Sequence, residues 1–193
     1  MSSQRWGLLA LVLVALGLSL AYGVTRGQPS TTSADLGPLQ RQARLEPCPT
    51  GLGPAFPDIR LPCLGGGPKV SLTAPGPALP TLVNVYGSWC GPCQQEMPLL
   101  RDLYAKAQGK VALVGVDTQE KDVKLGLRFA IDVQQHWPTL YDDDRSVGAH
   151  FTPGVPVMVF LDATGSVKHV ESGGYKDRAT LETDVRTYLG VAL

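Results

Sequence analysis

The sequence carries no excess of either charge, with 17 basic and 17 acidic residues and no dense basic run. That balance argues against nucleic acid as the main partner. Histidine is scarce, and His136, His150 and His169 stand far apart from one another. A zinc site needs a second ligand pair of similar form, and Cys48 and Cys63 are too widely spaced to supply one. Asp142-Asp143-Asp144 has no spaced ligand loop around it, so it reads as a solvated turn rather than a calcium site. No internal repeat is present, and no cysteine closes the N-terminal apolar run, which argues against a lipid-modified anchor.

What is present begins with that run. From Trp6 to Val24 the chain has no charged residue, and as a helix it would rise about 28 Å, close to the thickness of a bilayer core. It predicts a single-pass membrane anchor, with Trp6 and Tyr22 as interfacial aromatics. The alternative is a signal peptide cleaved near Ala21, after the small-x-small pattern Ser19-Leu20-Ala21. Either reading places the rest of the chain outside the cytoplasm. Residues 1–27 are therefore assigned to an anchor or signal segment. Residues 28–54, rich in glycine, proline, serine and threonine, are expected to form a flexible tether.

From about residue 55 to residue 193 the pattern is that of one folded domain, and the length allows one medium domain with an appendage. FPDIRLPCL and PKVSLT flank three glycines at 65–67 and predict a small hairpin. TLVNVYG and VALVGVD are apolar runs of strand length, while 91–108 and 121–133 have helical periodicity. VPVMVFLD and SVKHVES predict a second hairpin, and 177–190 a closing helix. Strands alternating with helices indicate an α/β sandwich.

The chemistry concentrates in SWCGPCQQEMP, residues 88–98. The pair Cys90–Cys93 falls where a buried strand meets a helix. Unpaired amides and the positive end of the helix dipole favour a thiolate there. Pro92 is tolerated in a first turn, whose amides have no intrahelical partner to lose. Cysteines three residues apart lie on one helix face, near enough to close a disulfide and free to open it. Such a pair suits thiol–disulfide exchange, with Cys90 attacking and Cys93 resolving the mixed disulfide. Half of a metal site, or a copper-binding chaperone in which a downstream histidine joins the two thiols, remain the readings of another class.

SWCGPCQQEMP together with VPVMVFLD resembles the thioredoxin superfamily, and more narrowly its membrane-anchored TlpA/ResA-type thiol–disulfide oxidoreductases. The resemblance covers about residues 55–190. It implies a thioredoxin-like three-layer α/β sandwich with an N-terminal β-hairpin extension and a central insertion over 118–147. It also implies a cis proline at Pro156, after Val155, that holds a partner's extended segment beside the cysteines, with Pro153 as the competing position. Trp89 matches the tryptophan flanking the family's active site, and Pro98 the proline that kinks its helix. The buried aspartate and the lysine of cytoplasmic thioredoxins are missing, and their places fall on Asn84 and Leu113. Glu96 matches the glutamate that TlpA/ResA-like proteins place three residues after the second cysteine, where a raised pKa would let it take the proton from Cys93. The competing reading of Glu96 is a solvated surface glutamate.

In an oxidising compartment Cys48 and Cys63 are expected to pair as a structural disulfide, with a second redox pair as the alternative. Trp137-Pro138 reads as a packing corner. The resemblance implies a cofactor-free enzyme acting on protein thiols or disulfides. Its expected work is reductive, for example on apocytochrome c, with a transmembrane electron donor. A disulfide-forming oxidase or isomerase is the alternative within the class.

Overall fold

The structure, a computed structural model, describes residues 36–193 apart from Gln108, Thr152 and Pro153. The expected anchor at Trp6–Val24, the cleavage position at Ala21 and the competitor Pro153 all lie outside the described residues. Among those described, no helix is long and apolar enough to cross a membrane.

Helix α1 spans Gly37–Ala43 and precedes two short strands, β1 (Arg60–Leu61) and β2 (Val70–Ser71). These pair antiparallel across the three glycines, as the sequence predicts, and form a separate two-stranded sheet. The main chain of the domain then runs β3 (Thr81–Tyr86), α2 (Gly91–Lys106), β4 (Ala112–Thr118), α3 (Val123–Asp132) and β5 (Thr139–Asp142). It closes with α4 (Ser146–Phe151), β6 (Val157–Leu161), β7 (Val167–Ser172) and α5 (Arg178–Leu189). The five-stranded sheet has the order β5-β4-β3-β6-β7. β3, β4 and β5 are mutually parallel, whereas β6 runs antiparallel to both β3 and β7.

β3 lies at the centre with all six residues buried, which explains its nearly unbroken apolar run. Strand alternation divides its side chains between two cores. Leu82 and Tyr86 join Met97, Leu100 and Leu103 of α2 and Leu181 and Val185 of α5 on one face. Val83 and Val85 join Leu52, Leu72 and Val147 on the other. The layers are thus helix, sheet, and a mixed layer of hairpin and α4. The central insertion supplies α3 and the edge strand β5.

The expected flexible tether over 28–54 is corrected by the structure for residues 36–54. Residues 36–54 belong to the folded unit, which begins at Leu36. Ala43 is buried with Leu64, Leu127 and Ala130, and Leu36, Leu39 and Leu45 pack around them. Leu52 is fully enclosed, and the Glu46 amide donates to the carbonyl of His136. A polar composition set by Gln40, Arg41 and Gln42 conceals an apolar stripe that is stable only against α3.

Candidate active site

The site is built where β3 hands over to α2. Cys90 is the N-cap of α2, in extended conformation, and its sulfur accepts the amide of Cys93 at 3.2 Å. A sulfur thus takes the place of the usual capping oxygen and sits at the positive end of the helix. Cys90 and Cys93 are joined to each other, with Cα atoms 5.2 Å apart. Of the two, only Cys90 keeps any exposure, 5% against none for Cys93.

The Val155–Pro156 peptide is cis, as expected, and the Val155 carbonyl lies 3.8 Å from Cys90 Sγ. The turn before β6 is brought to the redox pair by the pairing of β6 with β3, in which Val157 lies opposite Val85.

Glu96 is on the buried face of α2, at 1% exposure, which decides against the solvated reading. Asn84 Nδ2 donates to its Oε1 at 2.6 Å and the Tyr175 amide to its Oε2 at 3.1 Å. Burial pushes its carboxyl up to about 7, while the hydrogen bonds from Tyr175 and Asn84 pull the other way. Asn84 suits both protonation states. Its NH2 serves the carboxylate, and a half-turn of the amide would present Oδ1, which has no partner among the described residues, to the acid. Gly174 covers this pair with φ +74°, and a Cβ there would press on both Pro156 Cγ and Glu96 Oε2. Leu113 is buried in the same core as Leu82, its partner on β3, so no lysine faces Asn84.

Trp89 is 54% exposed, a large apolar surface beside Cys90, and its Nε1 donates to the Thr118 carbonyl. Gly87 makes room for the indole, since a Cβ there would overlap the ring. Ser88 is fastened from two sides. Its amide and hydroxyl donate to the two oxygens of Glu120 at 2.6 and 2.8 Å, and its carbonyl accepts from Gln94 Nε2.

Cys48 and Cys63 form the second disulfide, with Cα atoms 5.9 Å apart. Cys63 bridges to Leu140 of β5, and Cys48 Sγ lies 3.3 Å from the Thr139 carbonyl, so the bond clamps the segment after α1 to the sheet edge. Among the described residues no three histidine, cysteine or carboxylate side chains come together as metal ligands.

The chain has relatives among known proteins. The Redoxin family model matches residues 52–188, which is most of the folded unit. The chain belongs to the Redoxin family. This redoxin is 27% identical over 93 residues to the thiol-disulfide oxidoreductase ResA of Bacillus thuringiensis (strain Al Hakam), covering 44% of this chain and 50% of that protein. The chain thus matches about half the length of that relative. It is 28% identical over 167 residues to the thiol:disulfide interchange protein DsbE of Pseudomonas fluorescens biotype C, covering 86% and 83%. Among solved structures, MTB DsbF superposes with a TM-score of 0.61 at 25% identity, covering 70% of this chain and 98% of that one. The fold is thioredoxin-like, and the chain is a homologue of thiol–disulfide oxidoreductases with its Cys-x-x-Cys pair at Cys90 and Cys93.

Sequence reading places Cys90, Cys93, Glu96, Trp89, Val155 and Pro156 in the site, and the structure brings these together. It does not anticipate Asn84 as the partner of Glu96, nor Ser88, Gly174 and Glu120. An asparagine inside the apolar run TLVNVY is the one signal that could have found Asn84, because an amide in a central strand needs a buried partner.

Proposed function

We propose that this redoxin reduces disulfides in protein partners outside the cytoplasm, held at the membrane by the Trp6–Val24 segment. The observation that carries the reading is the asymmetry of the pair: Cys90 reaches the surface beside Val155-Pro156, and Cys93 is enclosed. In the reduced protein the Cys90 thiolate attacks one sulfur of a partner disulfide. That S–S bond breaks, a Cys90–partner disulfide forms, and the released partner thiolate takes a proton. Cys93 then gives its proton to Glu96 and attacks Cys90 Sγ. The Cys90–partner bond breaks, the second partner sulfur leaves as a thiolate that takes a proton from water, and the Cys90–Cys93 bond seen here is left. A carboxyl with a pKa near 7 accepts that proton at neutral pH and returns it when the pair is reduced again.

Trp89, Val155 and Pro156 form the surface on which an extended partner segment lies. The two electrons are restored by a dithiol donor in the membrane. Apocytochrome c, whose haem-binding cysteines must stay reduced, is the proposed substrate, in keeping with the resemblance to TlpA/ResA-type proteins. No bound cofactor is required, because the sulfurs carry the electrons.

The test is the reduction potential of Cys90–Cys93 in the full chain, equilibrated against glutathione or dithiothreitol. A value below about −230 mV supports the reductant. A value above about −180 mV assigns the chain to disulfide formation and removes the cytochrome reading. Stoichiometric Cu(I) binding without insulin reduction would move it to the copper-handling class.

A further inference from the structure

Asp117 is the penultimate residue of β4, opposite Tyr86 of β3, and is fully enclosed. Neither of its carboxyl oxygens finds a donor among the described residues. Space for the group is made by Gly126 of α3, where a Cβ would overlap Asp117 Oδ2. The polar side chain against it is another acid, Glu120, which is itself buried and holds Ser88 through both oxygens. Two carboxylates cannot hydrogen-bond to each other without a proton, and two adjacent buried anions repel strongly.

Tyr86 of β3 lies within reach of the charges of Asp117 and Glu120, and Tyr141 of β5 within reach of both and of Asp143 and Asp122, the N-cap of α3. Lys121 follows Glu120 in the chain, and Lys124 stands in the first turn of α3. Burial first, then the charge of Glu120 and the hydrogen bond to it, push the Asp117 carboxyl up to about 9. At neutral pH Asp117 therefore keeps its proton and can donate it to a neighbouring oxygen.

We propose that Asp117 is a positioning residue for the redox loop: it shares its proton with Glu120, and this acid–carboxylate pair fixes Ser88 and, through it, Trp89 and Cys90. Loss of the shared proton sets two anions side by side, Glu120 moves away, and Ser88 loses its acceptor. The inference rests on the reading of Cys90 as the attacking sulfur, but its structural test is independent of any partner protein.

The test uses the oxidised full chain, labelled with 13C and 15N, in carbon-detected spectra between pH 6 and 10. In the wild type the Asp117 Cγ and Ser88 15N resonances should titrate together, with a midpoint near 9. In Asp117→Asn, whose amide donates at every pH, the Ser88 resonance should hold its neutral-pH position throughout. In Asp117→Ala, Ser88 should be displaced already at pH 7, and single-turnover reduction of Cys90–Cys93 by a phosphine should slow about tenfold, with Asp117→Asn restoring the rate. A Ser88 resonance that does not titrate in the wild type, or titrates equally in Asp117→Asn, overturns the proposal. The wild-type and Asp117→Asn titrations decide it even if Asp117→Ala does not fold. A normal titration in a chain with an oxidising potential would keep the latch and reject only the reductant reading.

Discussion

At the scale of single residues, the protein stores a carboxyl in its core and uses the protein matrix to set its proton affinity. The folded-state pKa of Glu96, about 7, lies above its ordinary value of 4.5. The folded protein therefore keeps a proton that the unfolded chain releases between those values. Stability from this group is fully present below about pH 4.5 and is lost as the pH rises through about 7. The loss amounts to at most about 3 kcal/mol. Glu96→Gln should remove that slope in chemical denaturation between pH 4 and 8. The same variant should slow the resolution step and flatten its pH profile between about 6 and 9, because no base is left for Cys93. Unchanged exchange rates over that range would defeat the proton-acceptor role. Glu96 was legible through its match to the glutamate of TlpA/ResA-like proteins. Its partners were not, since Asn84 and Tyr175 lie 12 and 79 residues away in the chain.

At the scale of elements, α2 combines three unusual residues without breaking. A cysteine caps it, Pro92 lies in its first turn, and Pro98 lies inside it, yet the helix runs from Gly91 to Lys106. Most of its hold comes from Met97, Leu100 and Leu103 against the sheet. The second disulfide acts on a different part of the fold. Cys48 and Cys63 are 15 positions apart, and closing a loop of that length contributes about 3 kcal/mol in the chain-entropy model. Cys48→Ser with Cys63→Ser should therefore lose about 3 kcal/mol in urea unfolding, with insulin-reduction activity retained below the new midpoint. Loss of that activity at full folding would instead make the bond part of an electron relay.

At the scale of the whole molecule, the folded unit is longer than the redox motif and its strands demand. A chain starting at residue 55 would lose α1, Leu52 and the Cys48–Cys63 bond together. A loss of that size should lower Tm by about 10 °C or more relative to a chain starting at residue 36. Thermal unfolding followed by circular dichroism compares the two, and equal midpoints would restore the tether to its full expected length. The strands, the reactive helix and the two hairpins were readable because each carries its own periodicity or turn residues. α1 was not, because its seven residues gain stability only from contacts with α3.

The sequence by itself determined the chemistry of the Cys90–Cys93 motif and most of the order of strands and helices, which are local properties carried by residue type and by spacing along the chain. Trp89, Glu96, Val155 and Pro156 were named through the resemblance to TlpA/ResA-type proteins. Tertiary structure alone decided which sulfur reaches the surface, which amide faces Glu96, and which acid shares the core with Asp117. Burial and distance across strands set these, and neither has a counterpart in the linear pattern.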